Sequence, residues 1–390
     1  MDVVVIGAGL AGARVVESYR EAGGGGSVAI VGAELHPPYH RPPLTKRILR
    51  GEAEPADALV RAAVDYRALD VDLRLDTAAR ALDLRNRRVE LAGGEAVAFE
   101  RLVIATGALP RRLPVPGVDL SGVFTLRTLD DSLAVRASAA NADRAVVIGT
   151  GFIGLEVAAS LRSRGLEVTI VDVAPAPFAT LGAPVFSDYL VELYREQGIE
   201  MLLEDGVAAF AGDGALSSVV TASGRTLPAQ LAVVGVGVAP ATGWLEGCGL
   251  ELENGVVVDS SYRSSADGVY AAGDVASFVD PVFGRRRRIE HWSNADYQGR
   301  ALGRILAGID EPYDRVSTFF TELFGTAYKF FGDSAATDHI ELEGDFRDGR
   351  AVVRYYRGGD LHAALLTGQS EEREGELQER IRSDALAATA

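Results

Sequence analysis

The strongest constraint on the fold is a strand–turn–helix pattern that occurs twice. DVVVIGAGLAGARVVESYREAG, residues 2–23, opens as a buried parallel strand, Asp2–Ile6. It turns through Gly7, Gly9 and Gly12 and continues as a helix from about Ala11 to Ala22. This spacing suits a dinucleotide phosphate: one glycine for the tight turn, one for backbone approach to a pyrophosphate, one for close helix–strand packing. The helix start adds free N–H groups and a positive dipole end. A second strand, SVAIVGAE, ends at Glu34, a carboxylate able to accept hydrogen bonds from ribose hydroxyls.

RAVVIGTGFIGLEVAASLRSRGLEVTIVD, residues 144–172, repeats the pattern with Gly149, Gly151, Phe152, Ile153 and Gly154 in the turn and Asp172 at the end. Two such folds imply two dinucleotides with a hydride passing between them, and FAD with a nicotinamide is the simplest pair. The charge of Asp172 favours NADH, because it repels a 2′-phosphate. Arg162 and Arg164 read as solvated helix-end charges.

Two further segments interrupt the first domain. ERLVIATGALPR gives a strand and then Ala105, Thr106 and Gly107, where the chain leaves it. SADGVYAAGDVA gives a strand ending in Gly273 and Asp274, at the carboxyl end where ligands bind in open parallel sheets. Asp274 there suits the ribityl chain of a flavin. The expected division is 1–108 and 238–311 for an FAD-binding domain, 109–237 for a NAD-binding domain, and 312–390 for a small α+β domain. The fold class is α/β, with two Rossmann-like domains.

A net charge of −16 argues against nucleic acid, and no apolar run is long enough to span a membrane. Cys248 is the single cysteine, which excludes a disulfide framework and a redox cysteine pair and suits a reducing, cytoplasmic setting. Met1 leads directly into the first strand, with no signal-peptide pattern. Five scattered histidines offer no metal-ligand spacing.

PPYHRPPLTKRIL, residues 37–49, holds four prolines within seven residues, which is expected to preclude helix before Thr45. PYHRPPLTK, GTGFIGLE, VFTLRTLDDS, YAAGDVA and EHWSNADYQGRALGRILAG fall in one order along the chain. Together they resemble the two-dinucleotide-binding flavoproteins of the glutathione reductase fold. Within that superfamily the chain resembles the NADH-dependent ferredoxin reductases of the putidaredoxin reductase type, which serve Rieske dioxygenases and cytochrome-type monooxygenases. Apoptosis-inducing factor shares the fold.

The resemblance implies an FAD-containing enzyme that passes hydride from NADH to flavin and single electrons to an acidic iron–sulfur ferredoxin. It implies that Arg41 lies near the FAD phosphates and that Lys46 stands near the flavin N5, paired with Glu156 as the catalytic couple. Arg127 helps hold FAD, Trp292 and Phe320 lie by the ring, and Gly235 and Gly237 admit the nicotinamide half of NADH. Disulfide reductases of this fold use a cysteine pair that is missing here, so electrons leave to a protein carrier, or to oxygen or a quinone. An oxidase or diaphorase, and an apoptosis-inducing-factor-like flavoprotein, are the alternatives. One segment departs from the pattern: Phe319-Phe320-Thr321-Glu322-Leu323 stands where the family shows Phe-Trp-Ser-Asp-Gln. HIELEGDFRDGRAVVRYYRGGDLHAALLTG reads as three strands followed by a polar helix from about Glu371 to Leu386. Arg285 to Arg288, in a hairpin, form the densest cationic run, which reads either as a solvated turn or as a dock for the ferredoxin; Arg47, Arg50, Arg111 and Arg112 could join such a dock. His291 reads as a packed neighbour of Trp292.

Overall fold

The first glycine motif does lie between a strand and a helix. The computed structural model describes residues 1–389 and places Val3–Ile6, a fully buried VVVI run, at the centre of a parallel five-stranded sheet. The order is Val269–Ala271, Arg101–Ile104, Val3–Ile6, Val28–Val31, Val71–Arg74. Val3 pairs with Val28 on one side and Arg101 on the other. Continuous apolar strands of this kind need cover on both faces. The helices Leu10–Glu21 and Trp292–Leu306 pack against each other there. Their approach is close because Gly303 has no side chain: a Cβ on it would stand 2.3 Å from the Val15 carbonyl oxygen.

The second motif builds a second parallel sheet, ordered Glu200–Leu202, Glu167–Val171, Arg144–Ile148, Leu231–Val234, Val123–Thr125. Each sheet is accompanied by a three-stranded antiparallel flap, at Ala79–Ala98 and Val207–Pro228 respectively. The chain passes between the two units through Ala108–Pro110 and Val238–Pro240, which pair antiparallel.

The C-terminal unit departs from its expected three strands. It has five, in the order Thr318–Leu323, Thr326–Gly332, Asp360–Thr367, Arg350–Arg357, His339–Asp345, with the helix Glu371–Thr389 packed against the inner strands. The two extra strands form a hairpin around Phe324 and Gly325, both at positive φ (50° and 82°), which matches the twist of the flanking strands. The proline corner also differs from expectation. Pro42–Thr45 is a short 3₁₀ turn with prolines in its first positions, where their missing N–H groups would have had no partner anyway. It leads into the single turn Arg47–Arg50.

Candidate functional site

Both glycine turns open onto one cavity of about 720 Å³. In the first turn Gly7 has φ +119°, and a Cβ on it would lie 2.2 Å from the Ala105 carbonyl oxygen. The second repeats this device: Gly149 has φ +108°, and its Cβ would lie 2.4 Å from the Gly235 oxygen. Gly12 and Gly154 pack against the carbonyl oxygens of Gly7 and Gly149, where a Cβ would approach to 2.2 and 1.9 Å. Gly9 and Gly151 have nothing within 4 Å of an added Cβ. The middle glycine of each turn thus faces open space at a helix start, as a pyrophosphate cradle requires.

Around the first turn lies a linked set of charges. Glu34 accepts hydrogen bonds from the Tyr39 hydroxyl and from Arg41, the latter at 2.9 Å. Arg41 also donates to the Arg127 carbonyl oxygen, and its guanidinium lies over the Tyr39 ring. Arg127 donates to Asp274 at 2.9 Å. Its Nε is buried with no partner in the protein, a donor left for a ligand. Burial and the charge of Arg41 push the Arg127 guanidinium below its ordinary value. Glu34, Arg41, Ala105, Thr106, Gly107, Arg127, Gly273 and Asp274 all line the cavity. Arg41, which the resemblance places near the FAD phosphates, lines the cavity and donates to Glu34 and to the Arg127 carbonyl oxygen.

Lys46 and Glu156 meet at 2.6 Å and are 7% and 5% exposed, a buried ion pair on the cavity wall. The pair is well supplied with hydrogen bonds, as burial demands. Lys46 donates to the Pro42 carbonyl oxygen at 3.2 Å. Thr45 donates to Glu156 Oε2, and Thr321, from the C-terminal unit, donates to Oε1 at 2.7 Å. Neither threonine carried a signal in the sequence beyond adjacency to a motif.

Phe152 and Ile153 also line the cavity, with Gly235 and Gly237. Asp172 lies outside its wall. It accepts from the N–H and hydroxyl of Thr150, each at 2.5 Å, and from the Ala174 N–H at 2.9 Å. At the mouth, Trp292 and Phe320 are 36% and 41% exposed and stand edge to face, 6.5 Å apart. The Trp292 indole donates to His40 Nδ1 at 2.9 Å. His291 does not pack on Trp292 as expected. Its ring stacks on Phe319, 4.5 Å away, and meets Phe152 edge-on, because successive side chains at a helix start diverge. Burial pushes the His291 imidazole down to about 4. Glu290, missed in the sequence, lines the cavity beside Arg288, and burial raises its carboxyl.

The arginine run is ion-paired, which bears against its reading as a dock. Arg285 is held by both oxygens of Asp333, Arg286 lies 3.4 Å from Glu253, Arg287 2.8 Å from Asp280, and Arg288 2.5 Å from Glu290. Each cation is thus compensated locally, and the run is no open positive patch. Of the flanking arginines, Arg50 pairs with Glu52 and Arg112 with Asp119. Arg162 and Arg164 are clips, not solvated charges: Arg162 holds the Gln197 and Leu166 carbonyls, and Arg164 those of Leu49, Arg50 and Arg136. Among the described residues no group of acids, histidines and cysteine has metal-site geometry, and no helix is long and apolar enough to cross a membrane.

Comparison with known proteins agrees with this geometry. The model of the pyridine nucleotide-disulphide oxidoreductase family matches residues 1–299. Rhodocoxin reductase of Rhodococcus erythropolis is 36% identical over 93% of this chain and 85% of its own length. The crystal structure of the ferredoxin reductase for the CYP199A2 system of Rhodopseudomonas palustris superposes with a TM-score of 0.92 at 34% identity, covering 96% of this chain and 93% of that one. The reductase of the covalent putidaredoxin reductase–putidaredoxin complex gives 0.94 at 31% identity, covering 98% and 93%.

Proposed function

The chain belongs to the pyridine nucleotide-disulphide oxidoreductase family, and from that membership we propose that it is an FAD-dependent NADH:ferredoxin oxidoreductase serving an oxygenase. The observation that carries this reading is the shared cavity. Two dinucleotide cradles open onto it, and its mouth is formed by Trp292 and Phe320 rather than by a thiol. The lone Cys248 lies outside the cavity wall, so no disulfide relay is available and electrons must leave across the mouth.

We assign FAD to residues 1–108 and 238–311 and the nicotinamide nucleotide to 109–237. The residues present fit both groups. Gly7, Gly9 and Gly12 would hold the FAD pyrophosphate, with the unpartnered Nε of Arg127 as a further donor. Gly149, Gly151 and Gly154 would hold that of NADH. Bound FAD supplies hydride acceptance and release of electrons one at a time. The protein's part is to orient and to hold charge. Lys46 keeps a cation on the cavity wall, where it would favour a negatively charged reduced flavin, and Glu156 fixes that cation. Phe152, His291 and Phe319 form an aromatic cluster at the seam between the units, on the cavity wall. His291 is neutral at pH 7 and adds no charge there.

The acceptor is a small iron–sulfur protein that seats on the aromatic mouth, in the cytoplasm. The test is anaerobic turnover of NADH with a [2Fe–2S] ferredoxin, set against oxygen consumption without one. Ferredoxin reduction at least tenfold faster than oxygen uptake is expected. Oxygen uptake at the same rate with or without ferredoxin would overturn the reading in favour of an oxidase.

A further inference from the structure

The strand Thr318–Leu323 is the edge of the C-terminal sheet, and its side chains alternate between two faces. Phe320 faces outward at the cavity mouth, whereas Thr321 is buried and aimed at the ion pair. The Glu156 carboxylate is shared between two units. Its Oε2 is held by Thr45 and Lys46 from the proline corner, and its Oε1 takes its hydrogen bond from Thr321. Glu156 itself stands on the helix Phe152–Ser163 of the second unit. One carboxylate therefore joins all three parts of the chain at the cavity wall.

We propose that Thr321 is a positioning residue that acts through Glu156 on Lys46 and so sets the reduction potential of the flavin; this rests on the reading that the cavity holds FAD. A buried carboxylate oxygen that loses its donor keeps an unsatisfied lone pair. The carboxylate is then less neutralised and free to turn away from Lys46. Both changes make the cavity wall more negative and less well ordered. Accumulation of negative charge on the flavin is disfavoured, and the potential falls. The hydroxyl is the only part of Thr321 that this role requires, so serine should serve and valine, of the same shape, should not.

The experiment measures the midpoint potential of the bound flavin by dye equilibration in Thr321→Val and Thr321→Ser, each in the wild-type and the Glu156→Gln background. FAD per chain is determined alongside. Thr321→Val should retain FAD and lower the equilibrium constant for two-electron reduction about tenfold, a shift of about 30 mV. Thr321→Ser should stay within twofold of wild type. In the Glu156→Gln background, Thr321→Val should add no further shift, because the route through the carboxylate is already gone. An unchanged potential in Thr321→Val, or the same shift with and without Glu156, overturns the proposal. A wild-type chain that binds no flavin would instead overturn the underlying assignment, and would do so before any substitution is made.

Discussion

The first glycine cradle and the second share one backbone device but hold their acids differently. In both, the first glycine sits at positive φ under a carbonyl oxygen of a neighbouring strand end, and the middle glycine faces open space. Around the first, Glu34 is wired through Arg41 to the Arg127 backbone carbonyl, and the Arg127 side chain on to Asp274, so that residues far apart in sequence form one chain of hydrogen bonds. Around the second, the Asp172 carboxylate accepts from Thr150 and Ala174, in the same unit. A ligand seated in the first would lie against a network that ties several elements together. The acid of the second cradle makes side-chain hydrogen bonds only within its own unit. That asymmetry suits a resident cofactor in one cradle and an exchanging cosubstrate in the other.

Filling each cradle in turn should have the largest effect. A Cβ on Gly12 or Gly154 would lie 2.2 or 1.9 Å from a backbone carbonyl oxygen, so the turn must move. Gly12→Ala should yield protein without bound FAD and with activity down at least a thousandfold. Gly154→Ala should keep its flavin absorbance after desalting yet lose NADH turnover to a similar degree. Flavin loss from Gly154→Ala alone would reverse the assignment.

Next in size is the ion pair that joins the cradles. Lys46→Met leaves the Glu156 carboxylate buried and unpaired, which costs about 3–5 kcal/mol. Denaturant unfolding should register that loss, and adding Glu156→Gln should restore most of it. The single variant should also lower the flavin potential and slow hydride transfer. A Lys46→Met protein as stable as wild type, with an unchanged potential, would make the proline corner a purely structural element.

Much of this could be seen before the structure was. Both cradles, their terminal acids and the Lys46–Glu156 couple follow from spacing or from the resemblance of whole motifs. What stayed hidden has a common physical cause. The hydroxyls of Thr45 and Thr321 matter only because the chain brings them to Glu156 across long sequence separations, and a lone threonine has no pattern. The hairpin turn at Phe324-Gly325 was missed because a phenylalanine at positive φ is an unusual turn residue. The arginine run misled in the opposite direction. Its density is plain in the sequence, but Asp333 and Glu253 come from distant segments, and Asp280 and Glu290, close in the chain, carry no pattern that marks them as its partners.

A smaller effect tests the acid of the second cradle. Asp172 keeps an oxygen with a single donor, Ala174 N–H, and so can still accept from a ribose hydroxyl. NADH should be preferred over NADPH by about 1–3 kcal/mol in kcat/KM, the scale of a charge-assisted hydrogen bond. Asp172→Ala should narrow the gap mainly through the KM for NADH. Equal kcat/KM for the two nucleotides in the wild-type protein would remove Asp172 from specificity.

The smallest effect lies at the seam between the cradles, where His291 stacks on Phe319 and meets Phe152 of the second turn. Burial lowers its imidazole to about 4 in the folded protein; Asp274 opposes that shift and Arg287 reinforces it. The unfolded chain protonates near the ordinary value of about 6.5. Between those values the unfolded state binds more protons, so stability falls as pH drops from about 6.5 towards 4 and is fully present above that window. The partly open position of the ring limits the loss to about 1–3 kcal/mol. Unfolding curves at pH 7 and pH 5 should differ by a measurable part of that amount in wild type. The difference should shrink in His291→Phe, which keeps the aromatic stack and removes the titrating group. If the acid sensitivity persists unchanged in His291→Phe, other groups carry it, and the seam is held by packing alone.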